Sequence, residues 1–419
     1  MDPAAARTFA REVVARLRAA GHMTYWAGGC VRDEILGRIP ADYDVATAAR
    51  PEAVRAVFGR RRTLAVGASF GVITVLGPPG AGQVEVATFR SDGAYTDGRH
   101  PAGVTFCSAE EDAQRRDFTI NGLFLDPLSG EIHDFVGGRA DLEAGIVRAI
   151  GNPAIRFAED HLRMLRGVRF AAFFGYVLDL PTRSAIERMA HLVAGVSPER
   201  IAAELRSMVS RSGRRTALEL LADTGLAREV LPEVAPGPGR SADSRPAWTA
   251  AARVVGALDE PDLPLALALL TGGDARAVEA VAARLRLSTR ETRKAAWLCG
   301  ALSDVATASL ADLRGWPWSR LQRLAVHEHA AALADALRGR AVGGGGDAEA
   351  ARWFTSLLAR PRVELDPPPL VTGGDLIAAG LPEGPHLGAL LARIRTLQLD
   401  GAIRSQSEAL AIARGDGPG

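Results

Sequence analysis

The feature that most constrains the fold is a change in hydrophobic pattern near residue 155. Before that point, short apolar runs alternate with turns rich in glycine and proline, which is typical of strands and short helices. After it, apolar residues recur at spacings of three and four among alanine, leucine and arginine, and strand signals almost vanish. The sequence therefore predicts an α+β protein: a small mixed-sheet head followed by an all-helical neck, body and tail.

Breaks in the pattern divide the chain further. Within the head we predict a helix over about residues 4–20 and strands over residues 25–27, 42–45, 71–76, 83–89 and 132–136. The helical part is interrupted by loops at 235–246 and 342–347 and by one aspartate and three prolines at 366–369. We therefore assign a head to residues 1–150, a neck to 151–220, a body to 221–365 and a tail to 366–419.

Composition excludes several classes of function. Lys and Arg total 50 against 49 Asp and Glu, so the net charge of +1 gives no global attraction to nucleic acid or membrane. Lys294 is the only lysine and lies outside any glycine-rich stretch, which excludes a Walker P-loop. The longest apolar run, residues 263–270, is far shorter than the roughly 20 residues of a membrane-spanning helix.

The cysteines indicate a compartment. Cys30, Cys107 and Cys299 lie far apart, forming neither a CxxC pair nor a disulfide framework, so we predict reduced thiols in a reducing compartment. The first residues follow an amphipathic pattern without the apolar core of a signal peptide. We therefore expect a soluble cytoplasmic protein with no membrane partner, and the sequence leaves its oligomeric state open.

The strongest chemical signal is GGCVRD at residues 28–33 followed by DYD at 42–44. Side chains alternate along a strand, so Asp42 and Asp44 are expected to share a face, where they repel unless a cation lies between them. Hard divalent cations prefer such oxygen ligands. Gly28 and Gly29 permit a tight turn whose amides approach phosphate, and Arg32 adds a guanidinium. A DxD alone is often only an acidic turn, but the upstream GGCVRD favours a functional site.

Together, GGCVRD and DYD resemble the first motif of the class II tRNA nucleotidyltransferase and bacterial poly(A) polymerase family, and the resemblance extends over nearly the whole chain. It implies a mixed-sheet nucleotidyltransferase head that transfers nucleotides to an RNA 3′ end with Mg²⁺. By this resemblance Asp42 and Asp44 hold the metal, whereas Gly28, Gly29 and Arg32 bind the nucleotide.

Two further head residues are assigned by the same resemblance. Glu85, on a neighbouring strand, would complete the acidic cluster and orient the metals or deprotonate the attacking hydroxyl. The alternative is a solvated strand glutamate. Arg116 belongs to RRDFTIN at residues 115–121, which matches a family element, and would reach the triphosphate while Asp117 and Asn121 brace the site. The alternative for the paired arginines is a charged helix start.

A third motif begins at Glu159 and concerns choice of the base. On a helix Asp160 and Arg163 would share a face and present an acceptor beside a donor fork. Cytosine and adenine both carry an amino group that donates a hydrogen bond to an aspartate. Uracil and guanine carry a hydrogen-bond acceptor at that position instead. This EDxxR resembles the family's protein template for CTP and ATP. A surface ion pair is the alternative.

Nucleotide contacts are also assigned to two arginines further along that helix. Arg166 continues the same side, and the resemblance places Arg169 near the nucleotide although it lies about half a turn from Asp160. Residues 156–215 hold eleven arginines and six acids, a local charge of +5 that suits approach to phosphate. The alternative is a solvated helix face.

Other segments resemble the family less specifically. Residues 92–106 are rich in Gly, Asp and Pro, so we predict a mobile loop that resembles the family's flexible loop, with a plain surface loop as the alternative. The SPERI stretch at 197–201 resembles a structural neck motif in which Arg200 pairs. The tail resembles the part of the family expected to meet the RNA stem.

Two histidine patterns are interpreted as unrelated to catalysis. His133 and Asp134 resemble a metal dyad, but no second His/Asp pair accompanies them. His327 and His329 lack the spacing of four residues found in a zinc-binding helix, so we expect them at the surface.

The resemblance implies an enzyme that adds or repairs the CCA end of tRNA from CTP and ATP without a template. A poly(A) polymerase, or an enzyme restricted to CC or A addition, shares every motif above and is the first alternative. The second alternative is a catalytically inactive RNA-binding protein on the same fold. The paired carboxylates argue against it, because an inactive site has no reason to retain two repelling groups.

Overall fold

A computed structural model of the chain describes residues 2–92, 104–236, 244–305 and 307–415. The chain divides into two compact units, Met1–Gly239 and Arg240–Gly419. The first unit contains every strand of the described residues, whereas the described part of the second is helical. The predicted α+β architecture, with a mixed-sheet head and helices after it, is confirmed.

The head is built on a mixed sheet of seven strands in the order β3-β4-β5-β2-β1-β8-β9. Its central strands β2 and β5 are parallel, and the other neighbours are antiparallel. The strands of the first unit are β1 (Thr24–Ala27), β2 (Asp44–Thr47), β3 (Thr63–Leu64), β4 (Val72–Leu76), β5 (Gln83–Thr88), β6 (Arg90–Asp92), β7 (Val104–Phe106), β8 (Leu123–Leu125), β9 (Ile132–Asp134), β10 (Ile146–Val147) and β11 (Val177–Leu178). Two small pairs, β6 with β7 and β10 with β11, accompany the sheet.

Helices cover the sheet and continue beyond it in the first unit. They are α1 (Pro3–Ala19), α2 (Gly29–Ile35), α3 (Pro51–Phe58), α4 (Ala109–Gln114), α5 (Gly138–Ala144), α6 (Pro153–Glu159), α7 (Leu162–Phe174), α8 (Leu180–Met189), α9 (Pro198–Val209), α10 (Arg214–Asp223) and α11 (Leu226–Val230). Short 3₁₀ turns occur at Arg60–Arg62, Ala68–Phe70, Thr119–Asn121 and Ala190–Gly195.

The second unit consists of helices packed through their apolar faces. They are α12 (Ser244–Gly256), α13 (Leu263–Leu270), α14 (Ala275–Arg284), α15 (Thr289–Val305), α16 (Leu310–Gly315), α17 (Trp318–Ala325), α18 (Ala330–Gly343), α19 (Ala348–Leu358), α20 (Arg362–Leu365), α21 (Gly373–Ala378), α22 (His386–Leu399) and α23 (Gln406–Arg414). Every residue of α13 is buried, as expected for a helix that is apolar on all sides. No helix in the described ranges combines the length and apolarity needed to cross a bilayer.

Helix α1 shows how local sequence supports the head. Pro3 occupies the first turn, where its missing N–H costs nothing, and the Asp2 side chain accepts a hydrogen bond from the Ala4 amide. The apolar stripe that includes Phe9 and Val13 is fully buried and packs on β1 and β2. This packing holds β2, whose first residue is Asp44, against the rest of the head.

The structure corrects several predicted boundaries. The strand predicted from residue 42 begins at Asp44, and the one predicted over 132–136 ends at Asp134 because its carboxylate caps the following turn through the Val136 and Gly138 amides. The prediction missed the short strands β3, β6, β7, β8, β10 and β11. The loop predicted at 342–347 begins later than expected, because α18 continues to Gly343. Gly344, with a φ of +90°, caps the end of that helix.

Two other predictions need comment. Only the ends of the loop predicted over 92–106 are described, where β6 pairs with β7, and residues 93–103 lie outside the described residues. His327 and His329 were expected at the surface, but both are half-buried. The His327 ring stacks on Trp297 with centroids 3.9 Å apart. Their role is packing, because a flat apolar ring face is a better neighbour for the indole than water is.

Candidate active site

The turn between β1 and α2 forms one wall of a cleft in the first unit. Gly28 has φ +76° and ψ −132°, a conformation that side-chain-bearing residues rarely adopt. A Cβ atom there would lie 3.0 Å from Nη1 of Arg116. Both Gly28 and Gly29 line the cleft, and Gly28 leaves the space that the Arg116 guanidinium needs.

The predicted carboxylates meet beside this turn. Asp42 lies in a bend, Asp44 is the first residue of β2, and Glu85 is the register partner of Asp44 on the parallel strand β5. The Asp44 residue is open to solvent, but protein atoms crowd its carboxylate, and this desolvation is the main cause that raises its pKa. The negative charges of Asp42 and Glu85 also raise the pKa and Arg116 lowers it, so that together these effects bring it to about 6.

A divalent cation fits this donor set. Asp42 and Asp44 both line the cleft and supply only oxygen, and their mutual repulsion is what a bound cation would relieve. Among the described residues, no group of three or more His, Cys, Asp or Glu side chains is arranged to hold a metal. Two carboxylates suffice for Mg²⁺ that keeps water and substrate phosphate as its other ligands. Glu85 shares the exposed face of Asp44 but is not among the cleft-lining residues.

A buried carboxylate holds both Arg115 and Arg116, the second of which the sequence assigned to the triphosphate. Asp112 is 1% exposed, and its Oδ1 atom accepts from Arg115 at 2.8 Å while its Oδ2 atom accepts from Arg116 at 2.9 Å. Arg116 also lies over the Phe124 ring, 5.0 Å from the centroid. Burial alone would raise the pKa of Asp112, but the charges of Arg116 and Arg115 outweigh this effect. The pKa is therefore lowered, and the Asp112 carboxylate stays ionised.

A chain of hydrogen bonds joins the head motif to helix α7. Arg32 donates from Nη1 to Oδ1 of Asn121 at 2.5 Å, and Asn121 donates to Asp117 at 3.0 Å. Asp117 in turn accepts from Nε of Arg166 at 2.8 Å. Burial would raise the Asp117 pKa, but the Arg166 charge and the hydrogen bonds from Asn121 and Arg166 lower it to about 2. Asp117 and Asn121 therefore connect Arg32 of the head motif to Arg166 of α7.

Asp160 and Arg163 lie together by a different arrangement from the one predicted. Asp160 is extended, with φ −147°, and separates α6 from α7, so it does not share a helix face with Arg163. The helix breaks here because Oδ1 of Asp160 accepts from the Leu162 amide at 3.1 Å, and its carbonyl accepts from the Arg163 amide. Oδ2 of Asp160 accepts from Arg200 at 2.7 Å.

Arg163 is held on several sides at once. It is 8% exposed, and its Nη1 atom donates to Glu159 at 2.5 Å and to the Arg156 carbonyl at 3.1 Å. Its Nη2 atom donates to the Arg115 carbonyl at 3.2 Å. These contacts fix the plane of the guanidinium at the edge of the cleft, because two of its nitrogens are already committed to partners with fixed directions.

Glu204 on α9 holds Arg169 by a hydrogen bond and lies near Arg166, which Asp117 already holds. Nε of Arg169 donates to Glu204 at 2.6 Å, and Nη1 of Arg166 lies 4.0 Å from the same carboxylate. Both guanidinium groups also lie over the ring of Phe170, at 4.2 Å for Arg169 and 5.3 Å for Arg166. Burial, followed by the positive charge of Arg166, lowers the pKa of Arg169.

The cleft has a volume of about 580 Å³ and contains almost every site residue that the sequence predicts. It is lined by Gly28, Gly29, Arg32, Asp42, Asp44, Arg115, Arg116, Asp117, Asn121, Asp160, Arg163, Arg166, Arg169 and Phe170. Six arginines against four aspartates give the lining a formal charge of +2, which attracts a polyanion. The four acids within this positively charged lining are Asp42, Asp44, Asp117 and Asp160.

Sequence reasoning missed three acids that position the arginines: Asp112, Glu159 and Glu204. Asp112 precedes Arg115 and Arg116 by three and four residues, and this helical spacing was a usable signal. Glu159 precedes Arg163 by four residues and was equally visible. Glu204 lies 35 residues from Arg169, so only the packing of α7 on α9 reveals that pair.

Comparison with known proteins agrees with this geometry. Residues 24–148 match the family described as the Poly A polymerase head domain. Residues 175–237 match the family described as the probable RNA and SrmB-binding site of polymerase A. The first match contains the sheet and the carboxylates, and the second begins just after α7.

Curated relatives and solved structures extend the match. A CCA-adding enzyme of Geobacillus thermodenitrificans is 42% identical over 51% of this chain, and that match spans only 52% of the relative. The CCA-adding enzyme of Geobacillus kaustophilus is 33% identical over 94% of this chain and 93% of its own length. That of Limosilactobacillus fermentum is 32% identical over 97% of this chain and 96% of its own.

The fold is shared with solved structures. The Bacillus stearothermophilus CCA-adding enzyme in complex with CTP covers 97% of this chain, and 96% of that structure is matched, with a TM-score of 0.75 and 29% identity. The Thermotoga maritima CCA-adding enzyme complexed with tRNA has the same fold, with a TM-score of 0.68 at 20% identity over 97% of this chain and 94% of that one. The chain belongs to the CCA-adding enzyme family of tRNA nucleotidyltransferases.

Proposed function

We propose that this protein is a template-independent RNA 3′-terminal nucleotidyltransferase that adds or repairs the CCA end of tRNA from CTP and ATP with Mg²⁺. One observation carries the proposal: a single cleft joins Asp42 and Asp44 to six arginines and to Asp160. Nucleotide transfer requires three kinds of group within one cleft: metal ligands, hydrogen-bond donors to phosphate, and an acceptor that reads the base. The relatives that match the chain over nearly its full length are CCA-adding enzymes, which supports this choice.

The triphosphate would lie against the turn between β1 and α2. Gly28 and Gly29 let the backbone approach phosphate closely, while Arg32 and Arg116 donate to its oxygens. Asp112 and Asn121 hold those two guanidinium groups, so little side-chain entropy is lost when the nucleotide binds.

Asp42 and Asp44 would hold the divalent cation, with Glu85 beside them. Bound Mg²⁺ would lower the pKa of the attacking 3′-hydroxyl and stabilise the leaving pyrophosphate oxygen. The part played by the chain is to hold the carboxylates in place near the triphosphate, with the positive charge of Arg116 opposing the rise in the Asp44 pKa. Glu85, as the register partner of Asp44, would orient that cluster or accept the hydroxyl proton.

Asp160 and Arg163 would select the base, with Arg166 and Arg169 contacting the nucleotide beside them. Aspartate accepts from the amino group of cytosine or adenine, and arginine donates to a ring acceptor. Arg200 and Glu159 fix the two side chains in different ways, so selection would depend on a protein surface rather than on a paired nucleic-acid template.

Further assignments follow from the same function. Residues 1–150 would form the catalytic head, 151–220 the nucleotide-selecting neck, 221–365 the body and 366–419 a tail that contacts RNA. We propose the cytoplasm as the location, because the cysteines are free thiols and the substrate is tRNA.

The test is incubation of the purified protein with Mg²⁺ and a tRNA that lacks its 3′ end, with each nucleoside triphosphate alone and in combination, followed by sequencing of the products. We expect CC from CTP alone and CCA from CTP with ATP. Long adenosine tails would favour a poly(A) polymerase, and addition of only CC or only A would indicate a restricted enzyme. No extension under any condition would indicate the inactive RNA-binding alternative.

A further inference from the structure

Tyr43 lies between the two metal-binding candidates but faces the opposite way. It is 4% exposed, whereas Asp42 and Asp44 on either side of it are open to solvent. Its ring packs against Trp26 with centroids 4.7 Å apart. Because side chains alternate along an extended chain, the buried position of Tyr43 directs the next side chain, Asp44, outward, and it also anchors the backbone beside Asp42.

A polar network holds the far end of the Tyr43 ring. Its hydroxyl donates to Oε1 of Glu34 at 2.8 Å. The Glu34 carboxylate also accepts from Nε of Arg7 at 2.8 Å and from Nη2 of Arg7 at 3.0 Å, a two-point contact with one guanidinium. Arg7 lies 5.4 Å from the centroid of the Trp26 ring, so the network and the ring packing share one neighbour. We call Arg7, Glu34 and Tyr43 the tyrosine clamp.

The clamp adds a polar connection among three parts of the head that already pack together, α1 on β1 and β2 and α2 on β1. Arg7 lies on α1, Glu34 on α2, and Tyr43 in the segment that leads into β2. Helix α2 also carries Arg32, whose guanidinium faces the cleft. A displacement of Tyr43 would therefore change the distance between the carboxylates and the phosphate-binding turn.

Asp42 needs such support because it lies in a bend before the first residue of β2, where the strand ladder does not fix it. Its charge repels Asp44 one residue beyond Tyr43, and Glu85 adds a third carboxylate on the next strand. Without a bound cation this repulsion tends to separate the groups. A hydrogen bond to an already ionised glutamate is one of the stronger contacts that can oppose it.

We propose that the tyrosine clamp positions Asp42 and Asp44 for a divalent cation, so that Arg7, Glu34 and Tyr43 are positioning residues of the metal site. This inference rests on the proposed function, in which the two aspartates bind the metal. It assigns a purpose to a buried tyrosine and an ion pair that are not among the residues lining the cleft.

The test measures binding of Mn²⁺ alone to the full-length protein by electron paramagnetic resonance. Tyr43→Phe keeps the ring on Trp26 and removes the hydroxyl, and Glu34→Gln weakens the same network at its central carboxylate. We expect about tenfold weaker Mn²⁺ binding in both, the size expected for a hydrogen bond to a charged group. Tyr25→Phe, which removes a hydroxyl from β1 without touching the clamp, is expected to bind Mn²⁺ as the wild type does.

Kinetics separate positioning from a general loss of structure. The Mg²⁺ concentration that half-saturates CTP addition is expected to rise in Tyr43→Phe and Glu34→Gln by about the same factor, with kcat at saturating Mg²⁺ close to wild type. Wild-type Mn²⁺ affinity in both variants, or a fall in kcat that excess Mg²⁺ does not restore, would overturn the clamp. Unchanged Mn²⁺ binding in Asp42→Asn would instead overturn the metal assignment itself.

Discussion

Nη2 of Arg200 lies 2.7 Å from Oδ2 of Asp160, and this ion pair connects helix α9 to the residue proposed to read the base. The other oxygen of Asp160 accepts from the Leu162 amide at the start of α7. With both oxygens engaged, the carboxylate is fixed in orientation before any nucleotide arrives. Base selection would then depend on α9 as well as on the motif itself.

Replacement of Asp160 by alanine is expected to relax the choice of nucleotide. The variant loses the acceptor for the amino group of cytosine and adenine, so discrimination against UTP and GTP should fall roughly tenfold to a hundredfold. Competition between CTP and UTP on a tRNA that lacks its CCA end measures this ratio. Glu187→Ala, which breaks an exposed ion pair with Arg183 on α8, is the control. Retention of the wild-type ratio in Asp160→Ala would remove the base-reading role.

Arg200 is expected to affect selection without contacting the nucleotide. Arg200→Ala leaves the Asp160 carboxylate held only by the Leu162 amide, so its second oxygen loses its fixed partner. We predict a fall in kcat/KM for CTP and a higher share of UTP incorporation, roughly tenfold in the ratio. Arg200→Lys restores a positive charge and should recover part of the loss. An Arg200→Ala enzyme that discriminates as the wild type does would show that Asp160 needs no such partner.

Gly28→Ala is expected to impair nucleotide binding for two separable reasons. The substitution strains a backbone at φ +76° and ψ −132°, at a cost of about 1–3 kcal/mol, and it places a methyl group 3.0 Å from Arg116. Gly37→Ala is the matched control, since Gly37 has φ +65° but open space around its Cβ position. We predict a loss of stability in both variants but a raised KM for CTP only in Gly28→Ala. Equal KM values in the two variants would contradict the contact with Arg116.

Asp117 gives the fold a specific dependence on acid. The arginine and amide partners of Asp117 lower its pKa from 3.8 to about 2, so the ionised group stabilises the fold above pH 3.8 and that stabilisation is lost as the pH falls through 2. The full effect is roughly 2 kcal/mol. Urea unfolding at pH 7, 5 and 3 is expected to show a shallower acid decline in Asp117→Asn than in the wild type. Parallel curves would mean that Asp117 is not ionised in the pair.

The residues that sequence patterns located well are those whose partners are close in the chain. Gly28 and Arg32 lie in one short turn and helix, and the assignment of Asp44 to a strand depends on only a few apolar neighbours. The predicted helix face shared by Asp160 and Arg163 was wrong, because the Asp160 side chain competes for the Leu162 amide and breaks the helix. A pattern of apolar residues does not show that a polar side chain competes for a backbone amide.

Long-range partners were the part that could not be predicted. Arg200 was expected to pair, but its partner Asp160 lies 40 residues away, and Glu204 reaches Arg169 across 35 residues. These contacts depend on the packing of α7 against α9, which a local pattern does not encode. Arg7 and Glu34 are 27 residues apart, and their ion pair likewise depends on the packing of α1 and α2 beside β1.

The central claim is that Asp42 and Asp44 hold a metal beneath a triphosphate whose base faces Asp160. A crystal structure of the protein with Mg²⁺ and a non-hydrolysable CTP analogue tests it most directly. The account predicts the α-phosphate and metal beside Asp42 and Asp44, the phosphate tail on Arg32 and Arg116, and the cytosine amino group at Asp160. A triphosphate bound elsewhere, or a base on the far side of the cleft from Asp160, would contradict it.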